Sequence, residues 1–220
     1  MNTYPRSAHF DYFRSLQNPM LGVTVDVDVT ALQAFCKAEG CSFYLAFMRC
    51  AARAANGVPQ LRQRIRDGGI VEYDVCGTSH VELRADGTYG YCTLHHDRPF
   101  REYLEYAEAE RLRCREAASI EEDDDVEGLY FVTSVPWLHY TQLIQPTSGG
   151  DESNPRISWG KYDTNLNLNC NHLRASFPPC RCLAAVNDAK LDTKKHLSRD
   201  IIINRGVINT PAPRSCRTRA

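Results

Sequence analysis

The sequence has no excess charge of either sign, no apolar run of membrane-spanning length and no Cys-x-x-Cys pair. A formal net charge of −1 gives no electrostatic reason to expect binding to nucleic acid or to a membrane surface. Residues 1–10 lack the apolar core of a signal peptide, so we expect a cytoplasmic protein. No repeat and no linker divides the 220 residues, which predicts one main domain.

Ten cysteines are present, but their spacing does not predict a metal site. Cys180-Arg-Cys182 has no partner pair at the spacing of a zinc ribbon. Most of the others lie inside apolar helical or strand patterns, as small buried hydrophobic residues do. We expect neither a structural metal nor a disulfide framework.

The apolar periodicity predicts strands mixed with helices. Alternation predicts strands over residues 21–29, 70–73, 81–83 and 89–93, with Asp67-Gly68 as a hairpin turn. Helical spacing predicts helices over residues 8–15, 30–37, 42–56 and 99–117, with Thr30 and Ser42 as N-caps. The fold class that follows is an α+β two-layer sandwich, a mixed β-sheet with helices packed on one face.

Phe131-Val-Thr-Ser-Val-Pro-Trp137 is the stretch most indicative of a site. Its first three residues predict a buried strand, and Pro136 ends that strand because proline has no N–H for a ladder. Trp137 then places an amphipathic ring beside the break, where an indole packs against a ligand or against the core. Both interpretations are open at this point.

Several segments, in order along the chain, resemble the type A chloramphenicol O-acetyltransferase family. Roughly residues 4–168 are covered, and the order of the segments makes the resemblance specific. The matching segments are Arg6-Ser-Ala-His-Phe10, Val25-Asp-Val-Asp-Val-Thr30, Ser42-Phe-Tyr-Leu-Ala-Phe47, Arg66-Asp-Gly-Gly-Ile-Val-Glu-Tyr-Asp74, Thr93-Leu-His-His-Asp-Arg-Pro-Phe100, Phe131–Trp137, Tyr140-Thr141 and Asn154-Pro-Arg-Ile-Ser-Trp-Gly-Lys-Tyr162.

The resemblance implies a homotrimer with active sites between subunits, acetyl-CoA as co-substrate, and chloramphenicol or a similar small hydroxylated acceptor. In that mechanism a histidine takes the proton of the 3-hydroxyl, which attacks the thioester, and a hydroxyl stabilises the oxyanion. The hydroxyl position of the family's Ser-x-x-Pro-Trp falls on Thr133, with Ser134 as a neighbouring alternative. Tyr44, Trp137, Lys161 and Tyr162 match the coenzyme side, and Phe13 and Phe100 match the acceptor side. The resemblance implies no metal.

The family's His-His-x-x-x-Asp-Gly motif is missing, and this leaves the base open. His172 is nearest in position, but Ser176 stands where the aspartate belongs. A second alignment places Asp188 at the base, and a carboxylate is a weak base unless burial raises its pKa. The pair His95-His96 aligns with a different family segment, and His196 lies in an unmatched basic tail, residues 194–220, for which we expect disorder.

A disrupted reading frame is a simple explanation of this departure. Residues 169–182 contain two prolines and scattered polar residues, which makes them a poor central strand. Asn169-Cys-Asn-His-Leu173 can be encoded AAC-TGT-AAC-CAT-CTG, and reading one base later gives Thr-Val-Thr-Ile, a strand-like alternation. The domain then spans residues 1–193, with 169–193 degraded or divergent.

Three functional hypotheses follow from the sequence. The first is an acetyltransferase for the 3-hydroxyl of chloramphenicol, an antibiotic-resistance activity. The second is an acetyltransferase for another hydroxyl acceptor, because pocket shape decides the acceptor. The third is an inactive trimeric CoA-binding homologue that has lost its base.

Overall fold

The computed structural model describes residues 7–17, 19, 21–117, 125–141, 143–146, 151–165 and 170–180, with the backbone alone at positions 21, 23, 163–165 and 170–180. The helices are α1 (Ser7–Arg14), α2 (Thr30–Glu39), α3 (Phe43–Asn56) and α4 (Phe100–Glu116). The strands are β1 (Leu21–Asp28), β2 (Gln63–Arg66), β3 (Gly69–Glu72), β4 (Gly77–Leu83), β5 (Tyr89–Leu94), β6 (Leu129–Ser134), β7 (Arg156–Trp159), β8 (Asp163–Asn165) and β9 (Cys170–Cys180). Short 3-10 turns cover Pro59–Arg62 and Val126–Gly128.

Seven of these strands form one mixed sheet in the order β1-β9-β7-β6-β4-β5, with β8 beside β9. The ladders β4–β6 and β6–β7 are parallel, and the others are antiparallel. The helices α2, α3 and α4 contribute to the main core, which buries one face of the sheet. Val81 and Leu83 of β4 are exposed on the opposite face. The predicted α+β two-layer sandwich is confirmed.

The hairpin and most of the predicted helix ends are confirmed by their local chemistry. Asp67 and Gly68 have φ values of 52° and 75°, as a tight hairpin turn between β2 and β3 requires. Ser42 caps α3 through a bond from the N–H of Leu45, and Gly40 ends α2 with φ 64°. The Thr30 cap is wrong: the Asp28 side chain accepts the N–H of Thr30 instead.

The buried face of α4 does not include Leu112. Phe100, Tyr103 and Ala107 are buried, as is Cys114 near the end of the helix, but Leu112 is 55% exposed because it faces away from the core. The last turns of α4 instead carry Arg111 and Arg115, which reach back to a carboxylate of β4.

The expectation that residues 170–180 make a poor central strand is wrong for this structure. β9 lies between β1 and β7. Its two prolines are tolerated because they fall at its end, where the β1 register shifts between Val23↔Phe177 and Leu21↔Cys180. The β7 pairing stops earlier, at Ser158↔Ser176. Residues 181–220, including the predicted tail, lie outside the described residues.

Among the described residues, Cys36, Cys76, Cys92 and Cys114 are buried free thiols, as the apolar patterns predict. In the same part of the chain, no helix has the length and apolar content to cross a membrane.

Candidate functional site

The site is built where β4 and β6 separate. Their parallel ladder ends at the pair His80↔Val132, although β4 continues to Leu83 and β6 to Ser134. Pro136 prevents β6 from continuing, since it has no N–H to donate. Side chains from both faces of the sheet therefore border the opening between the two strands, because successive residues of a strand point to opposite faces.

A cavity of about 630 Å³ occupies this opening, and we call it the fork cavity. Three of the four residues predicted on the coenzyme side, Tyr44, Trp137 and Tyr162, line it. Trp137 is 77% exposed, so its indole is available for contact with another molecule. The remaining lining includes Phe43, Arg111, Ser134, Pro136, Trp159 and Gly160.

A second cavity of about 470 Å³, the open-face cavity, lies on the sheet face opposite the helices. Its lining is mainly apolar, and the segment 143–146 covers one side of it. Four residues border both cavities: His80, Val81, Val132 and Thr133. These four form the shared wall.

Thr133 brings a hydroxyl to the shared wall. Its Oγ1 lies 3.2 Å from Oε1 of Gln145, to which it donates a hydrogen bond. Ser134, the alternative hydroxyl, lines only the fork cavity of the two. Thr133 is thus the hydroxyl that both cavities share.

Beside Thr133 in the shared wall, a buried charged cluster begins at His80. Nε2 of His80 lies 3.1 Å from Oε1 of Glu82, and both side chains are almost fully buried. Glu82 also accepts hydrogen bonds from Arg111 and, at 2.7 Å, from Arg115. The Tyr44 ring packs edge-on against the His80 ring, with the centroids 5.8 Å apart.

Glu82 is ionised in this environment. Burial alone would raise the pKa of its carboxyl group, but hydrogen bonds from His80, Arg111 and Arg115 outweigh burial and lower the pKa from 4.5 to about 2.

We expect the pH dependence of stability to follow from that lowered pKa. A carboxyl group with a lower pKa in the folded chain contributes stability above its unfolded pKa, and that contribution is lost as the pH falls from about 4.5 to about 2. Urea unfolding at pH 6 and pH 3 should show a smaller loss of unfolding free energy for Glu82→Gln than for the unsubstituted chain. Equal losses would contradict the assignment to Glu82.

The segment after β7 forms the far wall of the fork cavity and is held by backbone bonds. The N–H of Val135 donates to the carbonyl of Trp159, and the N–H of Lys161 donates to the carbonyl of Leu138, both at 2.9 Å. Between them, a Cβ at Gly160 would lie 2.6 Å from the Leu138 carbonyl oxygen. Only glycine allows this close approach.

Gly160→Ala should therefore distort the fork cavity. We expect a loss of about 1–3 kcal/mol of unfolding free energy, the usual cost of overpacking. Denaturant unfolding measures the effect. Unchanged stability would show that the segment adjusts without cost.

Phe13, Phe100 and Lys161 line neither of the two cavities, and His172 is described by its backbone alone. Phe100 is buried in the core, with its ring 5.6 Å from that of Phe35, and Phe13 is half-buried on α1. Lys161 is exposed beside Tyr162, and its side chain does not line either cavity. His172 lies on β9, where its Cα pairs with Asp28 of β1 and Asp163 of β8.

The alternative bases divide between buried, exposed and undescribed positions. His96 is buried, with Nε2 2.9 Å from Oγ1 of Thr78, and burial lowers the pKa of its ring to about 3. His95 is exposed. Asp188 and His196 lie outside the described residues.

His80, Glu82, Arg111 and Gln145 are the site residues that the sequence analysis missed. The i, i+2 spacing of His80 and Glu82 places both side chains on one face of β4, and an ionisable pair on the buried face of a strand was a usable signal. The contact of Glu82 with Arg111 and Arg115 of α4 depends on tertiary packing, and no pattern in the sequence indicates it. Among the described residues, no group of three or more His, Cys, Asp or Glu side chains is placed to hold a metal ion.

Comparison with known sequences identifies the same family over most of the chain. The family model described as chloramphenicol acetyltransferase matches residues 1–172. A chloramphenicol acetyltransferase of Klebsiella is 27% identical over 168 residues, which cover 74% of this chain and 76% of that protein.

Comparison with solved structures gives the same fold. A chloramphenicol acetyltransferase superposes with a TM-score of 0.72 at 22% identity, covering 90% of this chain and 96% of that one. A dihydrolipoamide acetyltransferase of Azotobacter vinelandii superposes with a TM-score of 0.63 at 14% identity, covering 92% and 89%. Because the family model matches residues 1–172 of 220, the chain belongs to the chloramphenicol acetyltransferase family and is an acyltransferase by that membership.

Proposed function

We propose that the chain is an acetyl-CoA-dependent O-acetyltransferase whose acceptor is chloramphenicol or a similar small hydroxylated molecule. The observation that carries this proposal is the shared wall, which brings the Thr133 hydroxyl to the boundary of two cavities. Direct acyl transfer needs this arrangement, because the two substrates must meet at one point with an oxyanion donor beside them.

The fork cavity is the proposed place of the acetyl-bearing arm of the coenzyme. Tyr44, Trp137 and Tyr162 supply aromatic surface to a flexible, largely apolar chain. Lys161 is exposed next to Tyr162, where an ammonium group would reach a phosphate outside the cavity.

The open-face cavity is the proposed place of the acceptor. Its lining includes Phe131 and Tyr91, which suit an aromatic or otherwise flat apolar molecule, and Leu143 and Ile144 on the covering segment. The chemistry of the lining supports this placement. Small-molecule sites usually have mainly apolar walls, and a few polar groups orient the ligand.

The chemistry proposed is direct transfer without an acyl-enzyme. A base takes the acceptor's hydroxyl proton as the oxygen attacks the thioester carbonyl carbon, and the tetrahedral oxyanion accepts a hydrogen bond from Oγ1 of Thr133. The C–S bond then breaks, and the CoA sulfur recovers the proton from the base. Before the reaction, the hydrogen bond to Gln145 holds the Thr133 hydroxyl in place. During the reaction, the hydroxyl gives up this bond and donates to the oxyanion instead.

The base proposed from the sequence is His172. Its backbone lies between two aspartate-bearing strand positions, Asp28 and Asp163. His172→Ala tests this assignment directly.

A homotrimer is the assembly proposed. Phe13 and Phe100 match acceptor-side positions of the family but do not line the open-face cavity within one chain. A site between subunits would explain how the half-buried Phe13 reaches an acceptor, whereas Phe100 is part of the core of its own chain. Sedimentation would test for the trimer.

The test of the proposed function is release of free CoA thiol from acetyl-CoA by the purified chain. We expect thiol release that depends on chloramphenicol and produces its 3-acetyl ester, identified by mass spectrometry. Release with a different hydroxylated acceptor alone would move the assignment to that acceptor. No release with any acceptor would overturn the proposal.

A catalytically inactive CoA-binding homologue is the second candidate. The missing His-x-x-x-Asp-Gly motif supports it, as does the end of the family match at residue 172. CoA binding without thiol release favours it, and a displaced copy of the motif in the gene sequence would establish the frame shift.

A further inference from the structure

His80 is the imidazole that the shared wall contains. It borders both cavities, its side chain is 1% exposed, and it lies one strand from Thr133, with Val132 as its register partner. Adjacent strands are about 4.8 Å apart. The His80 ring packs against Tyr44 of α3, and the Thr133 hydroxyl bonds to Gln145 of the segment that covers the open-face cavity. Because both residues line both cavities, a ligand group between the separated strands would reach both.

The hydrogen on the His80 ring can be placed from its partner. Glu82 is ionised and can only accept hydrogen bonds, so the nitrogen that faces it, Nε2, carries the hydrogen. With one hydrogen on the ring, placed on Nε2, Nδ1 is a bare lone pair. Among the described residues no donor reaches Nδ1, although the atom is buried.

A buried acceptor without a donor destabilises the folded chain, because the atom has lost its hydrogen bonds to water. A hydroxyl that enters from either cavity would remove this cost by donating to Nδ1. Such a ring, oriented by a carboxylate on one nitrogen and open on the other, has the arrangement of a general base. Arg111 and Arg115 hold Glu82 in place, which fixes the direction of the ring.

We propose that His80 is the general base of this chain and that Glu82 is its positioning residue. Nδ1 accepts the proton of the acceptor hydroxyl while that oxygen bonds to the thioester carbon. The imidazolium is stabilised by Glu82 until the C–S bond breaks, and Nδ1 then returns the proton to the CoA sulfur. This proposal rests on the proposed function and competes with His172 for the role of base.

The experiment compares thiol release by the purified full chain and by His80→Ala, His172→Ala and His95→Ala, at saturating acetyl-CoA and chloramphenicol. Removing a general base typically costs 10²–10⁴-fold in rate, so we expect that loss in His80→Ala alone. His95→Ala is the matched control, because that histidine is exposed and borders neither cavity. Added imidazole should restore part of the His80→Ala rate, which a merely structural defect would not allow.

Glu82→Gln tests whether Glu82 orients the His80 ring. We expect kcat to fall about 10-fold or more with little change in KM, since the amide no longer fixes the ring hydrogen on Nε2. Full activity of His80→Ala, or a loss that imidazole does not restore while CoA binding also fails, would overturn the His80 proposal with the acetyltransferase function intact. No release by the unsubstituted chain with any acceptor would overturn both.

Discussion

Thr133→Ala should lower the turnover of thiol release by about 10²–10³-fold while leaving acetyl-CoA binding close to that of the unsubstituted chain. The reason is that Thr133 carries the hydroxyl shared by the two cavities, and an oxyanion donor acts more strongly in the transition state than in the ground state. Steady-state rates with each substrate varied in turn measure the effect on kcat, and equilibrium titration with CoA measures binding.

Thr133→Ser is the matched control for this prediction. Serine keeps the hydroxyl and removes only the methyl group that restricts the rotamer, so we expect activity within a few-fold of the original. Ser134→Ala serves as a second control, because Ser134 lines only the fork cavity of the two. A large loss in Ser134→Ala with a small one in Thr133→Ala would move the oxyanion donor to Ser134.

The fold was predictable where local signals decide it. Asp67-Gly68 and Gly40 adopt positive φ values as their turn and cap positions require, and Pro136 ends β6. The position of β9 was not predictable from composition. Prolines are unfavourable in a strand whose residues all form ladder hydrogen bonds. In β9, however, the prolines fall at a bulge in the pairing with β1, beyond the last residue that pairs with β7.

Only part of the candidate site was predictable: the aromatic residues of the fork cavity were, and the charged cluster around Glu82 was not. Tyr44, Trp137 and Tyr162 are far apart in sequence, and only their match to family segments indicated that they share a cavity. The His80–Glu82 pair lies outside those segments, and its two arginines come from the last turns of α4. Nothing in helical periodicity distinguishes such arginines from solvated ones.

Substituting Arg64 should have the largest effect on stability. The side chain is fully buried in β2, and its guanidinium donates to the carbonyls of Glu127 at 2.6 Å and Leu129 at 3.1 Å, and to Sγ of Cys76 at 3.4 Å. It also donates to the carbonyls of Leu61 and Gln63, and it lies over the rings of Tyr73 and Tyr130. Asn154 Nδ2 also donates to the carbonyls of Glu127 and Leu129, at 3.3 and 2.9 Å. Arg64→Met would still remove every bond that the guanidinium makes and both of its ring contacts, and we expect a loss of about 3–5 kcal/mol of unfolding free energy.

The same substitution should also affect the site, because Arg64 joins the beginnings of the two strands that form the fork. Cys76 precedes β4, and Leu129 begins β6, so the guanidinium fixes the register that ends at His80↔Val132. Arg64→Lys is the matched variant: it keeps the charge but loses the planar donor geometry, and it should recover only part of the stability. Urea unfolding combined with CoA titration at a temperature where both variants remain folded separates the two effects. If Arg64→Met were as stable as the original chain, the Asn154 amide would be sufficient to hold the Glu127 and Leu129 carbonyls, and the strand register at the site would not depend on this arginine.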